Sequence, residues 1–344
     1  MSIDEQYMQR CLNLAILGLG NVAPNPMVGC VIVHNGIIIG EGYHQKYGEA
    51  HAEVNAIASV STKELLREST LYVNLEPCSH YGKTPPCSDL IVRSQIPRVF
   101  IGSNDPNPLV AGKGIAKLRN AGVEVTSGIL KQSTDFLNRR FLTFFTKKRP
   151  YIILKWAQSA DGFIAPTDNR QVWLSNELSK KLVHKWRSEE QAIMVGTNTA
   201  RIDNPELTVR LWKGKNPLRV VIDKDLSLPT GNHLFNNAAN TLVFNSRENS
   251  KENNIEKVKI DFSASLPKQV LDGLYQRNIG SVIIEGGATL LNSFIEANLW
   301  DEARMFKTTA LLHSGKTVMP LSGILHEQTQ LESDNLEILL NRSL

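Results

Sequence analysis

Residues 70–93 read TLYVNLEPCSHYGKTPPCSDLIVR. Thr70 to Leu75 is short and apolar, the pattern of a buried strand, and Cys87 to Arg93 has helical character. Between them runs a loop rich in proline and glycine that carries Cys78 and opens on Cys87. Upstream, HAEVNAIASV at 51–60 reads as a helix start. Further back, Met27 to Val33 and Gly36 to Tyr43 are β-rich runs joined at HNG, a hairpin signal. Downstream, Arg98 to Gly102 and Gly122 to Thr126 are strand-like, and Lys131 to Thr146 reads as one closing helix. This alternation predicts an α/β layered sandwich.

The chain has 344 residues, more than one ordinary domain. The basic, proline-stopped KKRP at 147–150 marks a boundary, which gives an expected first domain over 1–147 and a second over 148–344. A second α/β pattern follows. YIILKWA at 151–157 is a strand candidate and Asn176 to Arg187 a helix. Gln191 to Val195, Arg219 to Ile222 and Ser281 to Ile284 are further strands. Asn236 to Glu256, rich in asparagine and charge, reads as surface connections around one short strand, Thr241 to Phe244.

Hydrophobic residues make up 42% and charged residues 21%, ordinary for a folded chain. The net charge of +4 is too small for a nucleic-acid coat and compatible with anionic metabolites. Four cysteines in so long a chain do not make a disulfide scaffold. MSIDEQYMQRCL lacks the basic start and apolar core of a signal peptide, and no apolar run is long enough to span a membrane. The expected address is the cytoplasm, with no membrane and no nucleic-acid partner.

His51, Cys78 and Cys87 are a candidate metal set. Imidazole and thiolates are the ligands zinc prefers, and three protein ligands leave a fourth position for water, as in catalytic sites. Bound zinc lowers the pKa of such a water to about 7. Glu53, two residues after His51, is placed to take the water's proton and pass it to a leaving amine, a division of labour known from nucleobase deaminases. Residues two apart do not share a face inside a helix, so both reach one metal only if it lies off the first turn. Helix N-terminal amides there favour developing negative charge. The alternatives are two buried thiols without metal, and His80 as a competing ligand. Cys11 and Cys30 read as small core residues.

In the second half, SVIIEGGATLLNSF at 281–294 runs from a strand through Glu285 and two glycines into an amphipathic helix. Such a turn lets a ligand approach the backbone and offers free amides to phosphate, although it is also a common tight connection. It is not GxGxxG, so the Rossmann fingerprint is absent.

APNPMVGCVIV at 23–33, EGYH at 41–44, HAEVNAI at 51–57 and EPCSHYGKTPPC at 76–87 together closely resemble the N-terminal domain of the riboflavin-biosynthesis deaminase–reductases. The eight residues between the cysteines match that branch and depart from the two-residue gap of most nucleoside deaminases. KWAQSADGFIA at 155–165, VWLS at 172–175, VGTNTARIDNPELTVR at 195–210 and EGGATL at 285–290 look like the reductase domain of the same family. The resemblance covers nearly the whole chain, in order. It implies a cytidine-deaminase-like α/β/α sandwich followed by a dihydrofolate-reductase-like α/β domain, with zinc and NADPH as cofactors. The implied substrate is a small phosphorylated pyrimidine, 2,5-diamino-6-ribosylamino-4-pyrimidinone 5'-phosphate. It would lose its 2-amino group as ammonia, and the ribosyl group would then be reduced to ribityl. Two-domain enzymes of this kind often associate, so a homo-oligomer is an open expectation.

The resemblance also assigns residues. Lys83 would meet the substrate phosphate, Asp105 and Asn107 in NDPNP the ribose hydroxyls, and Asn25 and His44 the pyrimidine. Without it, Lys83 is a solvated loop lysine and the NDPNP residues are turn formers. In the second half Ala157, Trp173, Thr199, Asp203 and the run Gly287, Ala288, Thr289, Leu290, Leu291, Asn292 and Ser293 look like cofactor contacts. Lys155, Gln171, Arg187, Leu207, Arg210 and Glu285 look like substrate contacts, the arginines suiting an anion that they can fork. The alternatives are Trp173 as core, Arg187 as a helix-surface charge and Asp203 as a turn residue. Two positions depart from the family pattern: Gln171 stands where a small hydroxyl often meets substrate, and Lys224 follows VID where serine is common. Backbone atoms can make both contacts.

Two rival functions remain at this stage. A nucleic-acid or nucleoside deaminase with an accessory binding domain is disfavoured by the cysteine spacing, the weak charge and the lack of interleaved basic and aromatic residues. A non-catalytic binding protein on an old fold has no reason to retain Glu53 beside His51, Cys78 and Cys87.

Overall fold

The computed structural model describes residues 1–79, 85–108, 110–168 and 170–342. They form two compact units, Met1–Lys148 and Arg149–Leu344.

In the first unit, β1 (Gly29–His34) and β2 (Ile37–Tyr43) form a hairpin, followed by β3 (Thr70–Leu75), β4 (Arg98–Ser103) and β5 (Glu124–Ser127). Asn35 and Gly36, alone between the first two strands, both have positive φ (49° and 79°), as a type I′ turn demands. Among the described residues the sheet order is β2-β1-β3-β4-β5. The β1 strand pairs antiparallel with β2 and β3, whereas β3, β4 and β5 run parallel. Every residue of β3 is buried, as expected for a strand covered on both faces. One face packs Ala52, Ala56 and Ile57 of helix Ala52–Ser59, Ile91 of helix Cys87–Arg93, and Ile115 and Leu118 of helix Lys113–Asn120. The other carries Met8, Cys11 and Leu14 of helix Ile3–Ala15. Cys11 and Cys30 are fully buried core residues.

The single closing helix expected over Lys131 to Thr146 is instead two, Lys131–Leu137 and Arg139–Lys147. The break falls at Asn138, whose buried side chain accepts from Met27 N and donates to Met27 O. A side-chain amide that bonds a distant backbone competes with regular helix at that position.

The second unit contains β6 (Tyr151–Gln158), β7 (Ala192–Gly196), β8 (Leu218–Ile222), β9 (Thr241–Asn245), β10 (Ser250–Glu252), β11 (Ile255–Lys259), β12 (Ser281–Ile284), β13 (Glu302–Lys307), β14 (Gly323–Leu331) and β15 (Asp334–Asn341). The sheet order is β10-β11-β9-β8-β7-β12-β6-β13-β15-β14. The span from β11 to β13 is parallel and both ends are antiparallel. Helices Leu266–Tyr275 and Ala288–Glu296 cover one face through Val270, Leu274, Leu291 and Phe294. Helix Glu177–Glu189 covers part of the other through Val183 and Trp186. Among the described residues no helix is long and apolar enough to cross a membrane.

The stretch 236–256 is more ordered than its composition suggests, for it holds β10 and the start of β11 as well as β9. Its anchor is Arg219, fully buried on β8. The guanidinium donates to His233 O, Asn236 O, Asn236 Oδ1, Ala239 O and Thr241 Oγ1 at 2.6–3.0 Å. Removing it strands several acceptors, of which Thr241 Oγ1 is buried and the others are partly so, and a buried acceptor left unpaired costs about 1–3 kcal/mol. Arg219→Met is expected to destabilise this unit by about 3 kcal/mol or more, lowering its melting midpoint by roughly 6–12 °C in calorimetry. A shift under ~2 °C would show that water replaces those bonds.

Candidate active sites

His51 is the N-cap of helix Ala52–Ser59, in an extended conformation (φ −73°, ψ 165°) that swings its ring clear of the helix. Cys78 follows the end of β3 after Glu76 and Pro77, and Cys87 is the first residue of its helix. Two chain reversals thereby bring three donors together. His51 Nδ1 lies 3.6 Å from Cys78 Sγ and 3.3 Å from Cys87 Sγ, and all three donors lie within 4.8 Å of one another. With Zn–S near 2.3 Å and Zn–N near 2.0–2.1 Å, a tetrahedral ion holds sulfur and nitrogen about 3.6 Å apart. Donor chemistry and spacing therefore both fit zinc.

The two thiols share their proton unequally. A hydrogen bond from Cys87, with help from His51, holds Cys78 well below the ordinary thiol range, while the same partnership and burial push Cys87 up. The Cys87 backbone N–H also donates to Cys78 Sγ at 3.3 Å. A thiolate stabilised in this way is the form that ligates metal. The competing ligand His80 and the proposed phosphate contact Lys83 lie outside the described residues.

Glu53 lies in the first turn of the same helix and is buried, with Cys87 in hydrogen-bond reach. Burial pushes its carboxyl up to about 7, and negative charge on Cys78 adds to the rise. The geometric condition that the cluster lie off the first helical turn is met. The His44 ring stands edge-on to His51 at 5.4 Å. Its Nδ1 faces the Ala50 carbonyl at 3.0 Å, which can only accept, so in the neutral ring Nε2 accepts from Asn25 Nδ2 at 3.2 Å. Asn25 and His44 are thus one unit beside the cluster. Asp105 is buried, and burial pushes its carboxyl up to about 6. It accepts from the Asn107 N–H at 2.8 Å, which fixes the NDPNP turn.

In the second unit a cleft of about 390 Å³ opens beyond the carboxyl ends of β7 and β8. Ligands of open α/β sheets bind in that position. Thr199, Asp203, Gly287, Ala288, Thr289, Leu290 and Ser293 line it. Burial raises the Asp203 carboxyl. Gly287 caps helix Ala288–Glu296, and its N–H donates to Thr199 Oγ1 at 2.9 Å. That bond ties the glycine turn to the segment after β7. If this cleft holds the NADPH that the family resemblance implies, Thr199→Val, which leaves the amide unpaired, is expected to weaken its binding about fivefold or more. Protein fluorescence titration reads this, and unaltered affinity would remove Thr199 from the cofactor site.

Several expected contacts fall elsewhere. Leu291 is fully buried in the core, so only its backbone can serve a ligand. Asn292 accepts from the Met319 N–H, Ala157 lies on β6, and Trp173 is 72% exposed beneath the Lys180 ammonium. Trp173 is therefore neither core nor part of the cleft wall. Gln171, read as a substrate contact, lines the cleft beside the cofactor candidates. Lys316 and Arg170 also line it and escaped the sequence reading, because neither belongs to a recognisable motif.

The remaining substrate candidates gather around Glu285, just past β12. Arg187 forks it, with Nη2–Oε2 at 2.8 Å and Nε–Oε1 at 3.2 Å, and Lys155 Nζ stands 3.9 Å away. Burial alone would raise the Glu285 carboxyl, but Arg187 and Lys155 hold it down to about 2. Arg187 is consequently no surface charge. Burial, reinforced by Arg187 and Arg210, pushes His184 down to about 4. Its Nδ1 accepts from the Arg210 N–H at 3.0 Å. The Arg210 side chain itself is half-exposed and paired with Glu206 at 2.6 Å. Leu207 is buried in a core cluster at φ 52°, which leaves its backbone to meet a ligand. Lys224 lines a second, shallower cleft with Lys259 and Phe262, and its carbonyl accepts from Ser246.

Family comparison agrees with this two-part geometry. Residues 1–103 match the cytidine and deoxycytidylate deaminase zinc-binding region, and residues 150–341 match the RibD C-terminal domain. The riboflavin biosynthesis protein RibD of Aquifex aeolicus is 40% identical over 92% of this chain and 90% of its own length. Its namesake in Bacillus amyloliquefaciens is 42% identical over 92% and 87%. Among solved structures, the diaminohydroxyphosphoribosylaminopyrimidine deaminase/5-amino-6-(5-phosphoribosylamino)uracil reductase of Thermotoga maritima superposes with a TM-score of 0.90 at 38% identity, covering 98% of this chain and 99% of that one. Acinetobacter baumannii RibD superposes with a TM-score of 0.90 at 34% identity, covering 98% of both.

Proposed function

The chain belongs to the RibD family and is a bifunctional riboflavin-pathway enzyme, a zinc deaminase joined to an NADPH-dependent reductase; on that premise we propose which residues carry each step and on which substrate. The first unit, cytidine-deaminase-like, hydrolyses the amino group of the diaminopyrimidine ribosyl phosphate that names the Thermotoga protein. The second, dihydrofolate-reductase-like, reduces the ribosyl group of the uracil product.

His51 Nδ1 and the Cys78 and Cys87 sulfurs would hold zinc, which would supply the Lewis acidity that makes water nucleophilic at neutral pH. Water adds to the ring carbon that bears the amino group, and ammonia leaves. Glu53 takes the proton that water gives up and returns it to the departing nitrogen, a transfer its buried place beside the donor set supports. Asn25 and His44 orient the pyrimidine, Asp105 and Asn107 hold the ribose hydroxyls, and Lys83 meets the phosphate.

In the second unit NADPH supplies hydride. The N-terminal amides of helix Ala288–Glu296 would hold its phosphates, with Thr199, Asp203 and Ser293 around them. Arg187, Lys155 and Glu285 present two cations and an anion to the polar pyrimidine and its phosphate. Leu207 and Arg210 border that patch through their backbone. We place the domain limit at 147/148, one residue before the division between Lys148 and Arg149.

The observation that carries the reading is the convergence of one imidazole and two thiols on a single point, with a buried carboxylate alongside. Metal analysis beside separate assays of the two half-reactions tests it. One zinc per chain, ammonia release and NADPH oxidation are expected together. Active protein free of zinc would refute it.

A further inference from the structure

Glu76 has no place in the mechanism above, yet it is the most heavily engaged carboxylate of the first unit among the described residues. Its side chain is 4% exposed, and no cation approaches it among the bonds described. Instead Oε2 accepts from Asp105 N at 3.3 Å and Gly112 N at 3.0 Å, while Oε1 accepts from Gly114 N at 3.0 Å and Ile115 N at 3.2 Å. Four amides surround one carboxylate. Two of them open helix Lys113–Asn120, whose positive end favours an anion there. Backbone continuity adds a fifth link, Glu76 N to Ser103 O at 2.9 Å.

The chain on either side of Glu76 explains why this matters. Two residues later comes Cys78, a metal ligand, and the amides that Glu76 gathers belong to the segment carrying Asp105 and Asn107. The approach is close: a Cβ on Gly114 would stand 2.0 Å from Pro77 O and 3.2 Å from Glu76 Oε1, so only glycine lets the two segments touch. One carboxylate therefore fixes the distance between the metal loop and the Asp105 turn.

We propose that Glu76 is a positioning residue of the deaminase: by gathering the amides of Asp105, Gly112, Gly114 and Ile115 it holds Asp105 at the height above the His51–Cys78–Cys87 cluster where the substrate's sugar lies. It touches neither substrate nor metal, and it acts through Asp105. The inference rests on the assignment of Asp105 to the ribose.

Glu76→Gln tests it in the full-length zinc-loaded enzyme. The amide nitrogen turns a donor toward two N–H groups, so two bonds are lost and the turn loosens. KM for the deaminase substrate should rise about tenfold or more, kcat should stay within about threefold, and bound zinc should remain one per chain. Glu76→Asp keeps the charge at shorter reach and should recover part of the loss; it also serves as the readout if the glutamine variant does not fold. In an Asp105→Ala background, Glu76→Gln should raise KM no further. Unchanged KM, a fall in kcat in parallel with lost zinc, or additive effects in the double variant would each overturn the proposal. If Asp105→Ala alone leaves KM unaltered, the ribose assignment itself fails. An effect of Asp105→Ala without one of Glu76→Gln defeats only the role given to Glu76.

Discussion

Glu53→Gln is expected to lower ammonia release by about 10³-fold or more while the protein keeps its zinc and its full rate of NADPH oxidation. The amide matches the carboxylate in shape and still accepts a hydrogen bond, so the buried pocket at the first turn of helix Ala52–Ser59 is preserved. What it cannot do is accept a proton and give it back. Without that group, water must lose its proton and the departing nitrogen must gain one without the help proposed for Glu53. General acid–base assistance contributes about 10²–10⁴-fold per transfer, and two transfers depend on this residue. Metal analysis and a coupled ammonia assay on one preparation decide the matter. Retained deamination would pass the role to another group, and lost metal would make Glu53 a ligand.

Cys78→Ser is the second large effect, and it differs in kind. A hydroxyl does not ionise at neutral pH and replaces the soft thiolate zinc prefers, so the set of three donors falls to two. Bound zinc should drop below about one tenth of the wild-type stoichiometry, and deamination should become undetectable. Reduction should persist, because the Thr199–Gly287 cleft and the Arg187–Glu285–Lys155 patch are built wholly within the other unit. Chelation of the native enzyme should reproduce the same split, and added zinc should reverse it. Parallel loss of both activities would mean that the units do not fold independently.

The metal set could be read directly because its donors sit at fixed offsets on short, strongly patterned elements. His51 opens a helix, Cys78 follows a buried strand and Cys87 opens the next helix. The hairpin was equally plain, since Asn35–Gly36 is a turn with a backbone requirement. What escaped was long-range. Glu76 looks like one more acidic residue before a proline, and its partners lie 29 to 39 residues downstream. Arg219 appears in sequence as a charge inside an apolar strand, and nothing local announces that the asparagine-rich segment beyond it closes around the guanidinium. The break at Asn138 depends on Met27, 111 positions away. The edge strand β10 and its neighbour β11 were hidden by polar composition, which an edge strand tolerates on its solvent side. Leu291 and Leu207 sit in motifs yet face the core, for a motif specifies a backbone path and leaves side-chain direction to packing.

His51 caps the helix whose first turn carries Glu53, so the imidazole and the carboxylate stand two residues apart on one short stretch of backbone. Their spacing follows from local backbone geometry, whereas Cys78 and Cys87 reach His51 from other segments, so a change in how those segments pack would alter metal binding before it altered the distance between His51 and Glu53.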